Sequence, residues 1–427
     1  MARSTSSCPC VFRAPPLQTL RAIQTDPARS ALPGLDAVGR IAIRRLRLTD
    51  FRCYQTLALD LDDRPVALTG PNGAGKTNLL EAVSFLVPGR GLRRAQLSDV
   101  SRRTPQEADG AGHPRCWAVA ATVDDGGGEV DIGTGLAPDT AANRSSGRRT
   151  VRIDGEEARG QVALGERLSA LWLTPDMQRL FTEGASGRRR FLDRLVFVFD
   201  PAHAGRLLAY EKAMRERARM LADAAAARRS PDGAWADALE AAMVEKGVAI
   251  AAARGALVRR LDRACAMGTG PFPAAALDLD GELDAWLAAE SALETEDRFR
   301  DALLATRCED AYRRSSSIGP HRSDLSVTHV MRGVPAGQCS TGEQKALLIS
   351  IVLANLRLQA LDSGVVPLLL LDEVAAHLDE VRREALFEEI RALGVQAWMT
   401  GTDAHLFAPL GGAAQHFTVV DAVVSAA

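Results

Sequence analysis

Lysine is nearly absent: the 427 residues hold only four, Lys76, Lys212, Lys246 and Lys345, beside a large excess of arginine. The bias runs along the whole chain, so clusters of arginine carry less meaning than usual. Aromatic residues make up only 5% of the chain, and the helical segments hold too few of them to stack nucleobases. No uninterrupted apolar run approaches the ~20 residues that cross a bilayer, which excludes a membrane-embedded chain. The seven cysteines are scattered, and only Cys8 and Cys10 lie close together. With no second Cys or His pair at ligand spacing, a zinc site is not expected, and free thiols in a reducing cytoplasm are. A formal net charge of -2 supplies no global field for nucleic acid, so any such binding must come from local clusters.

What is present begins with alternation. Residues 41–48, 57–61 and 66–68 read as short strands, and the last runs into Gly70, Pro71, Asn72, Gly73, Ala74, Gly75, Lys76 and Thr77. Leu79, Leu80, Val83, Phe85 and Leu86 then give a helix with one apolar face, ending before Pro88. Strand, glycine loop, helix is the context a phosphate-binding loop requires. Its glycines let backbone N–H groups approach phosphate oxygens, Lys76 reaches the β and γ phosphates of ATP, and the Thr77 hydroxyl ligates Mg2+. These eight residues are the expected ATP site.

Leu368–Leu371 is an apolar run that ends in Asp372 and Glu373, as a buried parallel strand does where it delivers acids to its C-terminal edge. Asp372 is expected to hold the metal, and Glu373 to orient and polarise the attacking water beside Lys76. About thirty residues upstream, Cys339-Ser-Thr-Gly-Glu-Gln344 opens a long helix. Alone it is an ordinary helix cap. Its order and spacing relative to the other two motifs make it look like an ABC signature, with Ser340 and Gly342 serving the nucleotide held by a partner subunit. A head-to-tail homodimer enclosing two ATP molecules follows. His377-Leu-Asp379, shortly after Asp372, resembles the turn that touches the opposite subunit in such pairs.

The organisation expected is α/β: a P-loop NTPase head lobe of ABC-ATPase type, with a mainly helical second lobe. Residues 1–38 read as a disordered leader, or as one that a true start at Val38 leaves out. Pro15, Pro16, Pro27 and Pro33 interrupt the helix a transit peptide needs. Residues 39–185 form the N-terminal part of the head, 186–315 a helical arm broken near Pro231 and 268–273, and 316–427 the C-terminal part of the head.

Four further segments narrow the resemblance: Phe51-Arg-Cys-Tyr54, Thr174-Pro-Asp176, Gly187-Arg-Arg-Arg-Phe-Leu-Asp193 and Gly319-Pro-His-Arg-Ser-Asp324. Over residues 41–410 the chain resembles the RecF family. That resemblance implies a weak ATPase that dimerises with ATP on single-stranded, gapped or duplex DNA. It also implies cooperation with RecR and RecO mediators, help in loading RecA, and a place in DNA damage repair, replication and the SOS response in the cytoplasm. Two departures stand out. The signature reads Ser-Thr-Gly-Glu-Gln instead of the more usual Ser-Ser-Gly-Gln-Gln, and the leader has no family counterpart.

Arg188, Arg189 and Arg190 are candidates for DNA phosphate contacts, although their spacing lets at most two share one surface. A solvated, salt-bridged helix face explains them equally well. His321 beside Pro320 is read as structural. The rival function is an ABC-type ATPase subunit acting on a membrane partner. About 260 residues separate Thr77 from Ser340, more than a compact transporter ATPase uses, which disfavours that rival.

Overall fold

Residues 368–371 are four consecutive leucines, and the extended backbone turns them alternately to opposite faces of a sheet. Leu369 and Leu371 join one core with Ala67, Leu171 and Met399. Leu368 and Leu370 join another with Val66, Leu68, Trp172 and Trp398. A strand apolar on both faces belongs in the middle of a covered parallel sheet. The computed structural model, which describes residues 39–102, 116–136 and 149–427, has such a sheet.

Its order is Val423–Ala426, Gln415–Val420, Val66–Thr69, Ala397–Gly401, Leu368–Leu371 and Ala170–Leu173. All neighbours are parallel except the first pair. One face is covered by the Lys76–Ser84 helix and by an antiparallel sheet running Tyr54–Asp60, Ala42–Phe51, Ala118–Asp124, Glu129–Leu136, Arg149–Ile153 and Glu156–Glu157. The other face carries the Thr341–Ser363 helix. By length and composition alone that helix could cross a membrane, but 83% of its apolar window is buried inside the protein. The result is the α/β fold of an ABC or SMC ATPase head.

Beyond the sheet, Ala202–Ala226 and Gly233–Cys265 pair as a long helical hairpin. They build a separate core with Trp286 and Phe299 from two shorter helices, Glu282–Ala289 and Ala292–Ala305. Within this region, expected to be mainly helical, Ala275–Asp280 is a strand. It pairs antiparallel with Asp324–His329 over six residues, burying Ala275 and Leu277. Ahead of Leu368–Leu371 lies a separate two-residue strand, Val365–Val366, because Pro367 between them lacks the N–H a ladder needs. The described residues form one compact unit. The leader at 1–38, with Cys8 and Cys10, lies outside them.

Candidate nucleotide-binding site

The phosphate loop leaves the Val66–Thr69 strand at Gly70 and enters the helix at Lys76. Gly70 has φ 142°, and a Cβ there would stand 2.1 Å from the Val419 carbonyl oxygen. Gly75 has φ 115°, and its Cβ would meet the Tyr54 hydroxyl at 2.7 Å. Only glycine allows the loop to lie so close to its neighbours. Tyr54 donates its hydroxyl to the Gly75 carbonyl at 3.1 Å, and the Ala422 N–H donates to the Ala74 carbonyl at 3.0 Å. The loop is thus clamped from both sides.

Phe51-Arg-Cys-Tyr54 is one of those clamps. Arg52, at φ 52° in the turn, holds both oxygens of the fully buried Glu81 on the phosphate-loop helix, at 2.8 and 2.7 Å. Arg93 approaches the same helix from outside, donating to Asn78 Oδ1 at 2.8 Å. Arg93 carried no mark in the sequence reading, yet it lines the hollow of about 150 Å³ above the loop with Asn72, Lys76, Thr77 and Glu373.

Lys76 is buried and donates to the carbonyls of Gly70 and Pro71 at 2.7 and 2.8 Å. Burial lowers its pKa, and Glu373 and Asp372 oppose that shift. Thr77 donates its hydroxyl to Asp372 Oδ1 at 2.8 Å, across 295 residues of chain. Thr400, on the strand between the two motif strands, donates to the same oxygen at 2.8 Å and accepts the Glu373 N–H at 2.8 Å. Burial raises the Asp372 pKa, while hydrogen bonds from Thr400 and Thr77 pull it back. A hydroxyl and a carboxylate meeting beside a lysine form an all-oxygen donor set of the kind Mg2+ prefers, so the residues fit magnesium nucleotide. Glu373 follows in a left-handed conformation, φ 53°. Lys345 is buried in the signature helix. Burial lowers its pKa to about 8, and the Glu373 carboxylate opposes that shift.

The signature stands apart. Ser340 and Gly342 are exposed, and neither lines the hollow over the phosphate loop. Ser340 caps its helix in a reciprocal box with Glu343: its hydroxyl donates to Glu343 Oε2 at 2.7 Å, and its N–H to the same atom at 2.9 Å. Arg332 pairs with Glu343 at 2.8 Å, so the additional negative charge is already matched. Asp379 caps the Glu380–Leu393 helix through the Arg382 N–H.

The three adjacent arginines on the Ala185–Phe197 helix separate. Arg188 grips Asp324 with two bonds of 2.7 Å and also donates to the Leu180 and Glu183 carbonyls. Arg189 donates to the Ser323 carbonyl at 2.7 Å. Both therefore knit the arginine segment to the Gly319–Asp324 segment. Arg190 is exposed and makes no ion pair among the described residues. In the same helix Asp193 is buried, bound twice by Arg254 at 2.8 Å and once by His203 at 2.9 Å. Burial pushes that carboxyl up, but Arg254 and His203 outweigh it and hold it below the usual range. His321 Nε2 faces the Ser316 carbonyl at 2.9 Å, which can only accept, so Nε2 carries the proton and Nδ1 accepts from Tyr210 at 2.8 Å.

The chain is similar to known proteins in sequence and in fold. The RecF/RecN/SMC N-terminal domain model matches residues 42–411. A "DNA replication and repair protein RecF" from Mesorhizobium japonicum is 50% identical over 381 residues, 88% of this chain and 96% of that protein. Its Brucella suis namesake is 49% identical over 388 residues, 89% and 95% of the two chains. The chain belongs to the RecF family. Among solved structures, a RecF recombination mediator with ATP superposes with a TM-score of 0.74 at 20% identity, over 91% of this chain and 99% of that one. An Smc head from Pyrococcus furiosus reaches 0.51 at 16%, over 91% and 96%. At those identities the likeness is one of fold, and it joins this RecF-family chain to the SMC heads.

Proposed function

We propose that this chain is an ATP-dependent DNA clamp of recombinational repair and replication-fork maintenance. ATP closes a head-to-tail homodimer on gapped DNA, mediators of the RecO and RecR type help it load RecA, and slow hydrolysis reopens it. The observation that carries the reading is the meeting of Thr77, Asp372 and Thr400 at one carboxylate oxygen beside Lys76. Gly70, Pro71, Asn72, Gly73, Ala74 and Gly75 supply backbone N–H groups for phosphate oxygens, and Lys76 exchanges its carbonyl partners for the β and γ phosphates. Thr77 and Asp372 hold the metal. A magnesium ion held by these two residues would supply charge neutralisation for the transferring phosphoryl group. Glu373 orients the attacking water and accepts its proton.

Ser340 and Gly342, exposed and not lining their own chain's hollow, support a role toward a partner's γ-phosphate. Arg188 and Arg189 serve the protein's own framework, so DNA contacts fall to other groups. The test is light scattering and DNA binding of the purified chain with and without ATP and magnesium. A dimer and tighter DNA binding should appear only with ATP, and Ser340→Arg should keep nucleotide binding but lose both. A chain that binds ATP and remains monomeric with unchanged DNA affinity would sink the proposal.

A further inference from the structure

A cavity of about 250 Å³, separate from the nucleotide hollow, opens between the 87–94 segment, the Ala185–Phe197 helix and the start of the Ala202–Ala226 helix. Its floor is apolar, with Val87, Leu168, Trp172, Phe197 and Val198. Four arginines line it, Arg90, Arg94, Arg190 and Arg194, and none makes an ion pair among the described residues. The two carboxylates on its wall are engaged elsewhere: Asp193 by Arg254 and His203, Glu211 by Arg215. Arg194 stacks on Trp172 with its guanidinium carbon 3.9 Å from the ring centroid. Arg94 and Arg190 stand close enough to repel it. Burial first, then those two neighbours, lower its pKa to about 9. Arg90, Arg94 and Arg190 are exposed at the mouth and free to meet a ligand, while Arg194 is the partly buried charge, and a buried charge is as a rule paired.

The wall is also built to hold its shape. Arg149 donates to the Gly89 carbonyl at 2.5 Å, to Gln161 Oε1 at 2.8 Å and to the Phe85 carbonyl, fixing the 85–91 turn. Arg94 adopts φ 56°, a left-handed conformation uncommon outside glycine, and so turns away from its neighbour Arg93. Arg93 reaches the nucleotide hollow and Arg94 the cavity.

We propose that this cavity binds a small amphipathic anion, an apolar group of about ring size bearing a phosphate or carboxylate, whose charge is taken by Arg94, Arg190 and Arg194 and whose apolar body rests on the Phe197 and Val198 floor. Charge alone does not explain the floor, and apolar burial alone does not explain three guanidinium groups that have no ion-pair partner among the described residues.

Calorimetric titration of the full chain with phenyl phosphate, benzoate and inorganic phosphate tests this. Phenyl phosphate should bind at least tenfold more tightly than inorganic phosphate. Arg194→Met should weaken it at least tenfold, and Leu208→Glu, an exposed position on the cavity rim, should weaken it without disturbing the fold. Lys76→Ala should leave it unchanged, which separates this site from the phosphate loop. No binding at millimolar phenyl phosphate, or loss in Lys76→Ala with none in Arg194→Met, would overturn the proposal. So would inorganic phosphate binding as tightly as phenyl phosphate and being displaced by a single-stranded oligonucleotide, since the arginines then serve DNA.

Discussion

Thr400 places its hydroxyl 2.8 Å from Asp372 Oδ1, and the same oxygen of Thr400 receives the backbone N–H of the next residue, Glu373. One buried threonine therefore helps set the positions of both acids, Asp372 and Glu373. Replacing it with valine keeps the volume but leaves the Glu373 N–H without an acceptor, at about 1–3 kcal/mol. Thr400→Val is expected to lower turnover about tenfold or more and to lower the urea midpoint. Normal turnover in a stable variant would detach the acids from Thr400.

Glu373→Gln preserves volume and hydrogen bonding but removes the proton acceptor, so hydrolysis is expected to fall about 10²–10⁴-fold. Nucleotide binding should survive. If hydrolysis is what reopens the clamp, the variant accumulates as an ATP-bound dimer with slower release from DNA. Single-turnover hydrolysis and DNA dissociation rates measure the two effects. Undiminished hydrolysis would remove the catalytic role.

The ion pair between Asp193 and Arg254 ties the Ala185–Phe197 helix to the long Gly233–Cys265 helix. Arg254→Met strands a buried carboxylate and is expected to cost about 3–5 kcal/mol. The double variant with Asp193→Asn should recover part of that loss, because no lone charge remains. Equal losses in the single and double variants, read from urea melts, would show that the carboxylate tolerates solitude.

Burial lowers the pKa of His321 from 6.5 to about 4. As pH falls, the unfolded chain takes up this proton before the folded one. The site's contribution is therefore full above about pH 6.5 and is lost as pH falls toward 4. Between pH 7.5 and 5 the loss is about 2 kcal/mol. His321→Gln should show a correspondingly smaller drop in urea stability over that interval. An identical pH slope in the two proteins would mean that the imidazole is not held neutral.

The phosphate loop and the acidic pair were legible because each is a short run of fixed spacing, complete within eight residues or fewer. Thr400 was not: a single threonine near the end of the apolar strand Ala397–Gly401 looks like any strand residue until Asp372 is brought beside it. The Ala275–Asp280 strand hid for a similar reason. Its alternation is readable, but it is six residues long, lies between helices, and finds its partner only at Asp324–His329. Helical spacing showed that Arg188, Arg189 and Arg190 could not all share one surface. Which neighbour each would meet depended on residues more than 130 positions away.

The strand that bears the phosphate loop lies between Ala397–Gly401 and Gln415–Val420, and the loop's own atoms lean on Val419 and Ala422. A ribosome finishes residues 70–77 first and reaches these supports only after another 345 or so residues, at roughly 5–20 residues per second. For most of its synthesis the nascent chain therefore carries the complete nucleotide motif without the walls that shape it. A chain cut short before residue 397 would lack both strands that flank the loop-bearing strand and the Val419 and Ala422 supports of the loop itself.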